Sequence, residues 1–113
     1  MKFKDKSLKD RIIEFNRIRE TYPTRLPVIV EKHTNSHIQN IDKHKYLVER
    51  DMIYCQFIGI IRKRLKMKPE EALFLTVNGE LVSSNSMFGE LYETHKSEDG
   101  FMYLEYSLEN TFG

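Results

Sequence analysis

Cys55 is the only thiol in the chain, and with His44 or His95 as base it is the residue best suited to act as a protein nucleophile. A place in the first turns of a helix favours a thiolate, but no cysteine-enzyme motif surrounds it, and a lone cysteine reads first as a small packing residue. His33 and His37 have the i, i+4 spacing at which two imidazoles ligate one metal on a helix. Thr34-Asn35-Ser36 between them reads as loop, so the pair gives no metal site. Arg62-Lys63-Arg64-Leu65-Lys66-Met67-Lys68 is the densest basic cluster and has the charge to contact phosphate in nucleic acid or lipid headgroups. It has no aromatic platform and no nucleic-acid motif beside it, and its plain reading is a solvated helix end. A glycine-rich phosphate loop, a Gly-x-Ser-x-Gly elbow and a carboxylate pair spaced for acid–base work are all absent, so the chain reads as no enzyme and calls for no cofactor. Leu108-Glu109-Asn110-Thr111-Phe112-Gly113 finishes on a glycine carboxylate with no side chain to hinder attack on it. A terminal glycine is commonplace in itself.

The elements that must position such groups follow from periodicity. Ser7 precedes apolar Leu8, Ile12, Phe15 and Ile18, which predicts an amphipathic helix over 7–20 that stops before Tyr22-Pro23. Leu26 to Glu31 is a β-rich run in which Pro27 suits a strand entry or an edge. A polar connection from His33 to His44 leads to a short strand, Tyr46-Leu47-Val48. Asp51 is placed to cap a helix carrying Ile53, Phe57, Ile60, Ile61 and Leu65 on its apolar positions, closed by a basic last turn and Pro69. Leu73 to Val77, the turn Asn78-Gly79 and Leu81-Val82 predict a hairpin. Ser86 would cap a short helix with Met87, Phe88, Leu91 and Tyr92, and alternating Phe101 to Tyr106 reads as a central strand. The order is helix, β-β, helix, β-(β), short helix, β. It describes a small α+β domain with one mixed sheet under a crossover helix: the β-grasp arrangement of ubiquitin with an N-terminal helical extension. Only on that fold does the terminal glycine take on chemical meaning.

At 113 residues and 13.5 kDa, with 40% hydrophobic residues and 31% charge, the chain has the composition of one globular domain. The net charge of +1 hides a strong asymmetry. Up to Lys68 there are 17 Lys and Arg against 8 Asp and Glu, and beyond it 1 against 9, giving formal charges of +9 and −8. One cysteine and no Asn-x-Ser/Thr site give no sign of secretion, which makes a reducing cytosol the expectation. The longest aliphatic-rich run, Met52 to Ile61, is about half of a bilayer span. Neither a prenylation cysteine nor a glycine at position 2 is present. Membrane association would therefore come from a surface, a partner or a covalent lipid.

Arg25-Leu26-Pro27-Val28-Ile29-Val30-Glu31-Lys32, Lys43-His44-Lys45-Tyr46-Leu47-Val48, Gln56-Phe57, Ile61-Arg62-Lys63-Arg64, Leu91-Tyr92 and Tyr106 to Gly113 together closely resemble the autophagy ubiquitin-like modifiers, the GABARAP and microtubule-associated-protein light-chain family. The match runs in order from Ile18 to Gly113, and the first helix is only loosely matched. The resemblance implies an extension over 1–20 packed on a β-grasp domain over 21–108, with a flexible conjugation tail over 109–113. It implies a substrate of a conjugation cascade. The Gly113 carboxylate would be adenylated by an activating enzyme using ATP, passed as a thioester to a conjugating enzyme, and joined to the amine of phosphatidylethanolamine. A cysteine protease would process and release it at Gly113, with Phe112 as recognition residue. The two acyl chains of that lipid give stable anchoring where one gives only reversible binding.

The resemblance also implies docking of aromatic-x-x-aliphatic motifs of autophagy receptors and machinery against an edge strand over 45–49. The aromatic pocket would be Glu14, Ile18, Pro27, Lys45, Leu47 and Phe101. The aliphatic pocket would be Tyr46, Val48, Met52, Phe57, Ile60 and Arg64, while Arg25, Lys43 and Lys45 would favour acidic flanks. The expected setting is a cytoplasmic monomer that binds no nucleic acid, found on the autophagosome membrane when lipidated and in the vacuole or lysosome. An unconjugated adaptor that only binds peptide motifs is the alternative. Three departures from the family pattern stand out. Glu49 replaces a usual proline, which would put a negative charge beside the aliphatic pocket. Cys55 replaces a usual glycine. Thr76 replaces an apolar or aromatic residue on a strand that forms a second docking surface in some relatives.

Overall fold

The structure, a computed structural model, describes residues 2–108. Ser7 caps the first helix as its type predicts: its Oγ accepts the Asp10 N–H at 3.1 Å and opens α1, Leu8–Thr21. The helix ends where Tyr22 N–H closes on the Ile18 carbonyl at 2.7 Å, just before Pro23. A 3-10 turn over Lys2–Asp5 precedes it, with no periodicity to announce it, and buries Phe3. Strand β1 is Arg25–Lys32, β2 is Lys45–Glu49, helix α2 is Tyr54–Arg64, β3 is Phe74–Val77, α3 is Phe88–His95 and β4 is Met102–Ser107.

The sheet order is β2-β1-β4-β3. β1 runs antiparallel to β2 and parallel to β4, and β4 runs antiparallel to β3. The last strand is therefore central, and this α+β arrangement is the ubiquitin-like fold. Each face carries its own core. Leu26, Val28, Val30, Tyr46, Val48, Met102, Leu104 and Tyr106 face α2 and α3, where Tyr54, Phe57, Ile61, Phe88, Leu91 and Tyr92 are buried. On the other face Phe3, Ile29, Phe101 and Tyr103 pack with half-buried Phe15 and Ile18 of α1. Leu8 is exposed, so the inward stripe of α1 is narrower than its spacing suggests.

Three local expectations are corrected. Neither Asp51 nor Ser86 is a cap: α2 begins after Ile53, and α3 begins after Met87. The two helix starts satisfy one another through the backbone. Tyr54 and Cys55 N–H groups donate to the Ser86 and Ser84 carbonyls at 2.8 and 2.9 Å, while Phe88 and Gly89 donate to Met52 and Arg50 at 2.9 Å each. Asn78 and Gly79 take φ of 51° and 80° and close a two-residue turn between Val77 and Glu80, but Leu81-Val82 does not continue as a strand. The chain there is drawn toward α2, whose first turn uses the Ser84 carbonyl, and Leu81 is left 54% exposed.

Pro27 lies near the entry of a strand that has neighbours on both sides. The Val30–His44 hydrogen bond fixes the alternation, so Pro27 and Leu47 oppose each other without exchanging bonds, and the missing N–H points toward β4. Extended one step, the β1–β4 register would bring that N–H to the Gly100 carbonyl. The Tyr92 hydroxyl donates to this carbonyl instead. Gly100 itself has φ of +96°, and a Cβ there would meet the Phe15 ring at 2.5 Å. Gly100→Ala is expected to cost about 2 kcal/mol in urea unfolding, with faster amide exchange in α1. A stability equal to wild type would contradict this reading of the close approach.

Candidate functional site

The alternation that accommodates Pro27 also decides what β2 offers to solvent. Tyr46 and Val48 exchange their backbone bonds with β1, so the N–H and C=O groups of Lys45 and Leu47 point away from the sheet, where no strand among the described residues pairs with them. Side chains alternate at the same period of two. Tyr46 and Val48 therefore lie in the core under α2, and Lys45 and Leu47 lie on the face covered by α1 and the N-terminal turn.

The twelve residues expected to form two pockets divide along this edge. Glu14, Ile18, Pro27, Lys45, Leu47 and Phe101 belong to the α1 face; Tyr46, Val48, Met52, Phe57, Ile60 and Arg64 belong to the α2 side. Pro27, Phe101, Tyr46, Val48 and Phe57 are buried and can only be floors. Ile18, Leu47 and Met52 are half-buried and Ile60 is exposed, so these four offer the apolar surface within reach of a ligand. Two ring contacts stiffen the floors. Phe101 meets Phe3 edge-on at 5.0 Å between centroids, and Tyr46 meets Phe57 edge-on at 5.4 Å.

The charges around the edge are already engaged. Lys45 and Lys6 both pair with the Glu14 carboxylate. Burial pushes that carboxyl up, but the hydrogen bonds from Lys45 and Lys6 outweigh it and hold it below the usual carboxylate range. The stability this contributes is present above the unfolded-state value and fades as acid titrates the folded group. Arg64 Nε bonds Asp42 Oδ1 at 2.9 Å, and Arg25 meets its register partner Glu49 at 3.5 Å. Lys43 lies over the Tyr46 ring at 5.0 Å. The Glu49 charge thus sits on the Leu47 face against Arg25, not beside the aliphatic pocket where the departure from the family pattern would put it. The Tyr46 hydroxyl is buried without a hydrogen-bond partner, and burial pushes its pKa up to about 12. Asp42 and this orphaned hydroxyl escaped sequence reading, because a pairing across 22 residues leaves no trace in local spacing.

The other candidates stand apart. Cys55 is exposed in the first turn of α2, while His44 Nδ1 contacts the Val30 carbonyl and His95 Nδ1 the Leu91 carbonyl. His33 and His37 lie outside any helix, and no group of three or more His, Cys, Asp or Glu among the described residues is placed to hold a metal. Thr76 is fully buried on β3, the opposite edge of the sheet. Phe112 and Gly113 lie outside the described residues. No helix of the described chain is long and apolar enough to cross a membrane.

The chain is similar to known proteins over nearly its whole length. The family model "Autophagy protein Atg8 ubiquitin like" matches residues 10–113. Autophagy-related protein 8 of Schizosaccharomyces pombe is 51% identical over 112 residues, covering 98% of this chain and 93% of that protein. Autophagy-related protein 8B of Oryza sativa subsp. indica is 50% identical over 109 residues, covering 96% and 92%. Among solved structures, the crystal structure of Trypanosoma brucei ATG8 superposes with a TM-score of 0.88 at 37% identity, covering 95% of this chain and 93% of that one.

Proposed function

The chain belongs to the Atg8 family of ubiquitin-like autophagy proteins, and from that premise we propose that it is a modifier joined through the Gly113 carboxylate to phosphatidylethanolamine, with the outer edge of β2 recruiting aromatic-x-x-aliphatic motifs. The observation that carries the docking half is the parity of β2. A ligand strand added to this edge presents residues three apart to opposite faces, and the candidate pockets lie on opposite faces. An aromatic anchor would settle against Ile18, Leu47 and Phe101, and an aliphatic one against Met52, Phe57 and Ile60. Two such anchors are worth about 2–3 kcal/mol each. With strand hydrogen bonds, and less the ordering costs, the affinity is near micromolar, about −8 kcal/mol. Arg25, Lys43 and Lys45 would meet acidic flanking residues.

In the conjugation half, an activating enzyme joins the Gly113 carboxylate to AMP with release of pyrophosphate. A cysteine thiol then displaces AMP, and the lipid amine displaces the thiol to leave an amide. Phe112 would be read by the protease that hydrolyses this bond. Residues 1–20 would act as a packed extension, 21–108 as the ubiquitin-like domain and 109–113 as the tail. The protein would be a non-catalytic, cytoplasmic monomer until lipidated, then reside on autophagosome membranes and reach the vacuole or lysosome.

Incubation with the conjugating enzymes, ATP and lipid should give a mass increase equal to the lipid less water, lost in a variant lacking Gly113. No adduct on wild type would leave the unconjugated adaptor as the better reading. Calorimetric titration with an acidic aromatic-x-x-aliphatic peptide should show Leu47→Ala weakening affinity by about tenfold. Equal affinity would move the site off this edge.

A further inference from the structure

The basic end of α2 and the turn after it share Ile60 and Arg64 with the aliphatic side of the docking edge, but Lys63, Lys66 and Lys68 belong to neither expected pocket. The Arg62 guanidinium donates to the Glu71 and Lys68 carbonyls at 2.8 and 2.9 Å and so fastens the turn, and Arg64 is held by Asp42. Lys63, Lys66 and Lys68 are exposed, and their ammonium groups make no ion pair or hydrogen bond among the described residues. Between them Ile60 is 41% exposed and Met67 half-buried, and Gln56, Ile60, Lys63, Lys66 and Met67 line an open cavity of about 620 Å3. Of the acids nearby, Glu71 is occupied by the Lys68 N–H at 2.8 Å, which leaves exposed Glu70.

The chain leaves β4 at the same end of the domain. The Tyr106 hydroxyl donates to the Gln39 carbonyl at 2.9 Å, and Gln39 Nε2 donates to the Leu65 carbonyl at 2.7 Å. The Leu108 N–H reaches Ser36 Oγ at 3.5 Å, and Met67 and Leu108 pack against the same core. The basic turn and the last described residue are thus tied to one connection, 33–44. Five residues at full extension reach at most about 18 Å, on the order of two Debye lengths at physiological salt. A bond from residue 113 to a headgroup would therefore keep this end of the domain close to the bilayer.

We propose that Lys63, Lys66 and Lys68, with Ile60 and Met67 among them, form a surface that seats on an anionic lipid bilayer and orients the domain there. Its setting rests on the conjugation reading, but the contact itself requires no covalent bond. Lysines flanking exposed aliphatic side chains suit a headgroup layer with apolar chains beneath. Residues 59–69 contain no aromatic to stack on a base, which disfavours single-stranded nucleic acid.

The test is co-sedimentation of the full, unconjugated chain with vesicles of phosphatidylcholine containing phosphatidylserine, against vesicles of phosphatidylcholine alone. Binding should require the anionic lipid and fall as salt rises. Lys63→Glu/Lys66→Glu/Lys68→Glu should lower partition by about tenfold or more, whereas Lys2→Glu/Lys9→Glu/Arg17→Glu on the N-terminal elements changes it by less than about twofold. Ile60→Ser alone should lower it by about threefold. Equal binding to neutral vesicles, absence of binding, or equal loss in the N-terminal variant would overturn the proposal. So would an undiminished vesicle partition in the triple variant together with lost binding to an RNA or an acidic peptide. The wild-type salt series gives a readout independent of how any variant folds. Because no enzyme is used, a chain that fails to form the lipid adduct yet passes this test refutes conjugation alone, and the reverse result refutes the seat alone.

Discussion

Leu47→Pro is expected to weaken binding of an acidic aromatic-x-x-aliphatic peptide by about a hundredfold while lowering unfolding stability by only about 1 kcal/mol. Leu47 opposes Pro27 in a pair that exchanges no hydrogen bonds, so its N–H points off the sheet and proline there removes nothing from the β1–β2 ladder. What proline removes is the donor an added strand would use, along with the side chain that covers the aromatic anchor. Tyr46→Pro is the contrasting variant. Its N–H points inward, its ring packs on Phe57, and its replacement should unfold much of the domain. Calorimetry for affinity and urea titration for stability separate the two effects. A Leu47→Pro protein that keeps its affinity would show that peptides reach the pockets without pairing to the edge.

Asp99→Ala should lose about 3 kcal/mol of stability, the largest effect expected of any substitution outside the apolar cores. Asp99 is only 1% exposed. Its Oδ1 accepts the Phe101 N–H at 2.8 Å, and its Oδ2 accepts from the Tyr103 hydroxyl and from Arg11 at 2.6 Å. One carboxylate thus turns the chain into β4 and holds α1 on the sheet. Removing it leaves a buried hydroxyl and a guanidinium without their acceptor. Arg11 lies on the same helix as Glu14 and Ile18, so the variant should also lose severalfold in peptide affinity, with the aromatic anchor weakened more than the aliphatic one. Asp99→Asn keeps an acceptor for Phe101 and should fall between. Hydrogen exchange would show α1 amides released before those of α2; uniform release would mean that Asp99 serves the whole fold and not the helix alone.

The parts of this architecture legible in sequence are those whose cause is local. Ser7 caps α1 through its own side chain, Asn78-Gly79 makes its turn because both residues accept positive φ, and the alternation of Phe101 to Tyr106 marks a strand buried on both faces. Asp51 and Ser86 misled because α2 and α3 exchange backbone bonds at their starts, a solution that depends on the two helices meeting in space. The N-terminal turn around Phe3 is equally invisible. The Phe3 N–H is satisfied by the Glu31 carboxylate and its ring by Phe101, both far along the chain. The pocket residues came from resemblance, while their segregation to two faces could be read from parity once β2 was known to be an edge. Nothing in the order of residues could say which cations near that edge would already be engaged.

The pairs Lys45–Glu14, Arg25–Glu49 and Arg64–Asp42 have a consequence for selectivity. Each cation reaches a ligand with a competitor attached to the same chain, at an effective concentration no free peptide can match. On the proposed reading of this edge, acidic residues flanking a motif would have to displace a carboxylate like their own, so a single Asp or Glu would gain little from these cations. On the same reading, a phosphorylated flank, with about −1.5 to −2 charge and three acceptor oxygens, would compete for these cations better than a single Asp or Glu.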